Sequence, residues 1–140
     1  MFPRTALVTG ASGGIGQAIV ERLEREGTEV QELDLVTGFD VSDPMAWQSV
    51  DRVELACLNA GVATSTPSIT ELTGDEYRRV IAVNVHGVVY GVRRLAREME
   101  EGDAIVAPYL DLLRAGGSKP PQELARMVGL DLTDPSIWAS

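Results

Sequence analysis

Thr5-Ala6-Leu7-Val8-Thr9-Gly10-Ala11-Ser12-Gly13-Gly14-Ile15-Gly16 puts a short apolar run directly ahead of a glycine-rich turn, and a helix-period pattern follows at once. That order suits a dinucleotide site. Glycines at a strand end let the backbone turn tightly, let a pyrophosphate approach where a Cβ would collide, and aim the unpaired N–H groups of a helix N-terminus at the phosphates. Thr9, Gly10, Ser12, Gly14, Ile15 and Gly16 are therefore candidate cofactor-binding residues. Beyond the turn, Ile15, Ala18, Ile19 and Leu23 recur at helix spacing, Glu21, Arg22, Glu24 and Arg25 lie on the outer face, and Gly27 is the stop.

Working outward, short apolar runs alternate with longer amphipathic ones as far as Ala107, which predicts strand–helix–strand crossovers. Strands are expected at Thr5–Thr9, Glu29–Asp34, Leu55–Asn59 and Ala104–Ala107. Asp43-Pro44 predicts a short helix over Pro44–Ser49. The pattern Thr73-Gly74-Asp75-Glu76 is a capping box opening one long helix to about Glu101, with Tyr77, Val80, Ile81, Asn84, Val88, Val92, Leu95 and Met99 on its apolar face. Gly87 and Gly91 inside it cost about 1 kcal/mol each against alanine, so close contact with a neighbouring element is expected there. Right-handed crossovers put the first strand in the middle of the sheet, with the cofactor at the reversal point beside it. After Ala107, Leu110–Ala115 and Gln122–Val128 read as short helices.

The expected fold is α/β: a Rossmann-like parallel sheet with helices on both faces, truncated, plus a short helical C-terminal tail. Residues 1–107 would form the dinucleotide-binding domain and residues 108–140 a tail packing on the same domain. A composition of 44% hydrophobic and 24% charged residues excludes a disordered chain, and no apolar run reaches transmembrane length. A net charge of −9 argues against nucleic acid and anionic membrane as partners. Cys57, the single cysteine, cannot form an internal disulfide, and Met1-Phe2-Pro3-Arg4 runs into a strand rather than a signal-peptide core, so a cytoplasmic location is expected. Cys57 lies in an apolar strand, where a thiol packs rather than reacts.

The glycine turn has company. Asp34 closes the second strand, where an acidic residue accepts hydrogen bonds from adenosine ribose hydroxyls and repels a 2′-phosphate. Asp40-Val41 follows the turn at Gly38, Asn59-Ala60-Gly61 closes the third strand, and Asn84 sits on the long helix. Over about its first 107 residues the chain resembles the short-chain dehydrogenase/reductase family. Thr9, Gly10, Gly14 and Gly16 fall on that family's Thr-Gly-x-x-x-Gly-x-Gly turn. The resemblance implies that Asp34 selects NAD over NADP, that Asp40 and Val41 border the adenine, and that Asn59, Ala60 and Gly61 are the family's Asn-Ala-Gly segment. It also implies a structural role for Asn84.

The chain departs from that family where catalysis is concerned. The family's catalytic serine and Tyr-x-x-x-Lys have no match: Leu110 stands near the serine position, Tyr109 is followed by Leu113 and Tyr90 by Arg94. Each missing acid or oxyanion donor would cost a factor of ~10² to 10⁴ in hydride transfer. No catalytic residue is assigned. The stretch from Tyr109 through Pro135 looks like the C-terminal helices of oligoendopeptidase-type zinc metallopeptidases, but the zinc motif His-Glu-x-x-His is absent and His86 is the sole histidine, so no metal site is expected. The simplest account is two pieces joined near Ala107-Pro108. Leu110, Leu113, Leu124, Met127, Val128 and Leu130 would then shield the sheet edge at Ala104–Ala107, with the long helix available for pairing to a second copy. Function is expected to be NAD(H) binding with little or no turnover. The alternatives are an NAD-dependent oxidoreductase completed by a partner subunit and a non-catalytic chimeric or engineered scaffold.

Overall fold

The computed structural model describes residues 1–66 and 68–107. Strand β1 (Thr5–Thr9) leads through the glycine turn into helix α1 (Gly14–Arg25), and β2 (Glu29–Leu33) follows the left-handed Gly27. Two 3₁₀ turns, Leu35–Thr37 and Ala46–Ser49, carry the chain to β3 (Leu55–Cys57). After a further 3₁₀ turn at Ile69–Glu71 come α2 (Gly74–Ile81), a π-helical turn (Ala82–His86), α3 (Gly87–Leu95) and β4 (Ala104–Val106). The strands form one parallel sheet in the order β2-β1-β3-β4. This is the expected Rossmann-like arrangement, with β1 inside.

A strand buried on both faces must be apolar at consecutive positions, and Ala6, Leu7 and Val8 are all essentially inaccessible. Their alternation divides the core in two. Leu7 and Ala56 face a cluster completed by Phe39, Val41, Trp47, Leu58, Val88 and Leu95 under α3. Ala6, Val8, Leu55 and Cys57 face the opposite cluster, closed by Ile19, Val20 and Leu23 of α1. Burial pushes the Cys57 thiol up to about 12, so it stays neutral and inert at physiological pH.

Several element ends differ from expectation, each for a local reason. β2 stops at Leu33 because the Asp34 carboxylate caps the next turn through the Val36 amide (3.1 Å), and β3 stops at Cys57 because the Asn59 amide folds back onto the Cys57 carbonyl (3.0 Å). β4 ends at Val106. The helix expected over Pro44–Ser49 is a single 3₁₀ turn preceded by Asp43, which accepts from the Met45 amide (2.8 Å). The long helix starts at the expected capping box but is interrupted by the π turn and ends at Leu95 instead of Glu101. Arg52 holds the chain beyond that end, donating to the Glu98 carbonyl (3.0 Å) and to Asp103 (2.8 Å).

Of the long helix's expected apolar face, Asn84, Val88 and Leu95 are buried, whereas Tyr77 and Val92 are exposed. Its close-contact glycines behave as expected. A Cβ on Gly87 would lie 2.9 Å from a Val41 methyl, and one on Gly91 would lie 2.7 Å from the Trp47 ring. The expected tail helices, their shielding of the β4 edge and their peptidase likeness lie outside the described residues.

Candidate functional site

The carboxyl ends of β1, β2 and β3 meet at the glycine turn, where an open parallel sheet presents its crevice. Gly10 adopts φ +65°, and a Cβ there would lie 2.9 Å from the Ala60 Cα, so only glycine lets this turn pass under the Asn59-Ala60-Gly61 turn. A Cβ on Gly16 would lie 1.9 Å from the Gly10 carbonyl oxygen: this glycine permits α1 to dock against β1. Gly14 is different, because a Cβ there would meet nothing within 4 Å. Its Cα therefore borders open space that a side chain would occupy.

Helix α1 begins after Gly13, which has no side chain to cap it, and its first turn holds no acidic residue. The amides of Gly14, Ile15 and Gly16 have no intrahelical acceptor and carry the positive end of the helix dipole. The Ser12 amide is already committed, donating to one oxygen of Asp34 (3.0 Å). Asp34 thus ties the glycine turn to the end of β2 while its other oxygen caps the Leu35–Thr37 turn. The sequence placed Asp34 at the crevice; its second task as a reciprocal cap with Thr37 was signalled by the Asp-x-x-Thr-Gly spacing.

Thr9 and Asn59 turn inward. The Thr9 hydroxyl accepts from the Ala60 amide (3.0 Å), and Asn59 Nδ2 donates to the Thr9 carbonyl (3.3 Å), so both side chains brace the two turns against each other. Asn84 is buried within the π turn and clasps Val62 on both sides, accepting from its amide (2.8 Å) and donating to its carbonyl (2.9 Å).

Beside the glycine turn lies a cavity of about 140 Å³ that gathers six of the expected residues: Gly10, Asp34, Asp40, Val41, Ala60 and Gly61. Leu35, Phe39, Val62 and Val83 complete its walls. The chain pattern had not singled out these four, although Phe39 immediately precedes Asp40. Phe39 is held edge-on to Trp47 (5.1 Å between centroids), and the Trp47 indole donates to the Val41 carbonyl (3.0 Å), which fixes this wall. Asp40 accepts both the amide and the hydroxyl of Ser42 on one oxygen (2.9 and 2.7 Å). The cavity thus combines apolar side chains with two carboxylates in its lining, a setting that could take a heterocyclic base joined to a hydroxylated sugar.

A larger hollow, about 210 Å³, lies between Pro44–Gln48 and α3 and shares none of these residues. Its Arg94 is spent on the Val50 carbonyl (2.6 Å) and on Glu98 (2.9 Å). Among the described residues no three His, Cys, Asp or Glu side chains are placed to hold a metal ion, and no helix is long and apolar enough to cross a membrane.

The family model described as short chain dehydrogenase matches residues 44–106. 3beta-hydroxysteroid dehydrogenase 2 of Eggerthella lenta is 28% identical over 74% of this chain and 52% of its own length. An uncharacterized short-chain type dehydrogenase/reductase of Sinorhizobium fredii is 28% identical over 98% of this chain and 30% of its own. Among solved structures, the short-chain dehydrogenase/reductase of Serratia marcescens superposes with a TM-score of 0.64 at 30% identity, covering 74% of this chain and 56% of that one. The chain spans about half the length of the first curated relatives it matches. Residues 44–106 are thus similar to the short-chain dehydrogenase family, and the chain folds as a Rossmann-like parallel sheet like that solved structure.

Proposed function

We propose that this chain binds NAD(H) through Thr9, Gly10, Ser12, Gly14, Ile15, Gly16, Asp34, Asp40, Val41, Asn59, Ala60 and Gly61, and that it lacks the Ser-Tyr-Lys group needed for efficient turnover by itself. The observation that carries this reading is the cavity in which Gly10, Asp34, Asp40, Val41, Ala60 and Gly61 converge, next to the uncapped start of α1. The free amides of Gly14 to Gly16 would hold the diphosphate. Asp34 would accept the ribose hydroxyls of NAD, while its charge disfavours the 2′-phosphate of NADP. Phe39 and Val41 would flank the base. When bound, the cofactor supplies hydride chemistry; the chain supplies orientation. A buried, free Cys57 suits a reducing, cytoplasmic setting.

Titration of the full chain with NADH, followed by cofactor fluorescence, tests the reading. Saturable binding is expected, and Asp34→Arg should weaken NAD while easing NADP entry. Absence of saturation at millimolar cofactor would refute it.

One observation favours a second reading, an oxidoreductase completed by a partner subunit. Tyr77, Val85, Val89 and Val92 are exposed along the long helix, an apolar stripe suited to a second copy. A dimer that oxidises NADH with a carbonyl substrate would support this reading; a monomer without turnover would exclude it.

A further inference from the structure

Val62 lines the cavity, yet none of the residues from Val62 to Thr66 is buried and none belongs to a strand or helix. Hydrophobic burial therefore does not fix this wall. Polar contacts from the helix behind it do. Besides the Asn84 clasp on Val62, Arg79 donates to the Ala63 carbonyl (3.0 Å). The Glu76 carboxylate accepts from the Ser65 amide (3.2 Å), the Ser65 hydroxyl (2.6 Å) and the Thr66 hydroxyl (3.5 Å). A capping box requires of Glu76 only that it reach back to Thr73, which it also does (3.5 Å to the Thr73 amide). The three bonds to Ser65 and Thr66 exceed that need.

We propose that Glu76 and Arg79 are positioning residues for the nucleotide pocket, strapping residues 62–66 to α2 so that Val62 stands as its wall. The proposal rests on the nucleotide-binding reading above and extends it to residues that touch no ligand. The Glu76 carboxylate, an acceptor at both oxygens, gathers donors from the far end of a segment that Asn84 holds only at Val62, so the wall is ordered before a ligand arrives. Arg79 adds a second point two residues away.

The test is calorimetric titration of the full chain with ADP-ribose, alongside thermal melting. Glu76→Ala should weaken binding roughly tenfold, the worth of about one charge-assisted hydrogen bond. Glu76→Gln, which keeps an acceptor for Ser65, should restore part of the loss. Thr73→Ala removes the cap and one donor to Glu76 Oε2 (3.2 Å) but leaves both Ser65 bonds on Oε1, so it should lower the melting temperature while costing much less affinity than Glu76→Ala. Arg79→Ala should weaken binding and Arg79→Lys recover it, a comparison that stands even if Glu76→Ala fails to fold. Equal losses in Thr73→Ala and Glu76→Ala, or wild-type affinity in both alanine variants of the strap, would overturn the positioning role alone. If the wild-type chain takes no ADP-ribose, the nucleotide-binding reading falls and the positioning role with it.

Discussion

Gly14→Ala separates ligand binding from folding more cleanly than any other change in the turn. The added Cβ would have no neighbour within 4 Å, so the unliganded protein gains no clash. Gly14 opens α1 at a negative φ, and alanine is the better helix former by up to about 1 kcal/mol, less at a first position, so the melting temperature should hold or rise by a few degrees. A phosphate oxygen held by a backbone amide sits about 2.9 Å from its nitrogen. A methyl carbon requires about 3.5 Å from the same oxygen, so the diphosphate must retreat and its amide bonds lengthen. Loss of one charge-assisted bond is worth about 1.5–3 kcal/mol, a tenfold or greater weakening of NADH. Gly16→Ala is the contrast, because its Cβ would overlap the Gly10 carbonyl oxygen at 1.9 Å and backbone cannot step aside. It should destabilise by about 1–3 kcal/mol or more. Fluorescence titration and differential scanning calorimetry on the two variants provide the assay. If Gly14→Ala binds NADH as the wild type does, or melts as low as Gly16→Ala, the assignment of this face to the diphosphate is refuted.

Two further outcomes are expected. Gly91→Ala should lower stability by about 1–3 kcal/mol despite its better helix propensity, since the Cβ would press the Trp47 ring at 2.7 Å and Leu58 at 3.0 Å; a shift in Trp47 emission would report the displacement, and unchanged melting would exclude the contact. Acid should weaken the fold through three carboxylates held below their usual range: Glu54 chiefly by the Arg4 amide, Glu76 chiefly by the Ser65 hydroxyl and Asp103 chiefly by the Glu100 amide. A lowered folded pKa contributes stability that is present above the unfolded values of 4.5, 4.5 and 3.8 and is lost as pH falls through the folded ones. Melting temperature should thus be level between about pH 7 and 5 and fall below about pH 4; a loss centred near the histidine range would point to other groups.

How much of this was legible in the chain follows from how local each cause is. β1, the turn and α1 are set by period and by glycines within a span of about twenty residues, and the sheet order follows from the handedness of the crossovers. Gly87 and Gly91 announced close contacts, but not that Val41 and Trp47 would make them, because those partners arrive through an irregular loop. The double duty of Asp34 was written locally and read only in part. The π turn was not legible: no residue from Ala82 to His86 breaks a helix pattern, and the irregularity lies where Asn84 turns its amide onto a chain segment 22 positions away. The bonds of Glu76 to Ser65 and Thr66 were hidden for the same reason, behind a capping-box motif that already explained a glutamate there.

The short path between β2 and β3 links these parts. With only 3₁₀ turns between Asp34 and Leu55, the chain lies directly on the long helix, and the glycines at 87 and 91 are what let it approach. Val41 occupies both sides of that contact: it lines the cavity, its methyl packs over Gly87, and its carbonyl receives the Trp47 indole. Val62, which also lines the cavity, is held by Asn84 and, through its neighbours, by Arg79 and Glu76 of the same helical run. Val41 and Val62 are therefore both positioned by the helical run from Gly74 to Leu95, while the glycine turn leads into α1. A side chain at Gly87 would press on Val41, which lines the cavity, and so would alter the cavity's shape. Shape at this site is set from behind, by what the long helix leaves out at two glycines and by what it grips at three polar side chains.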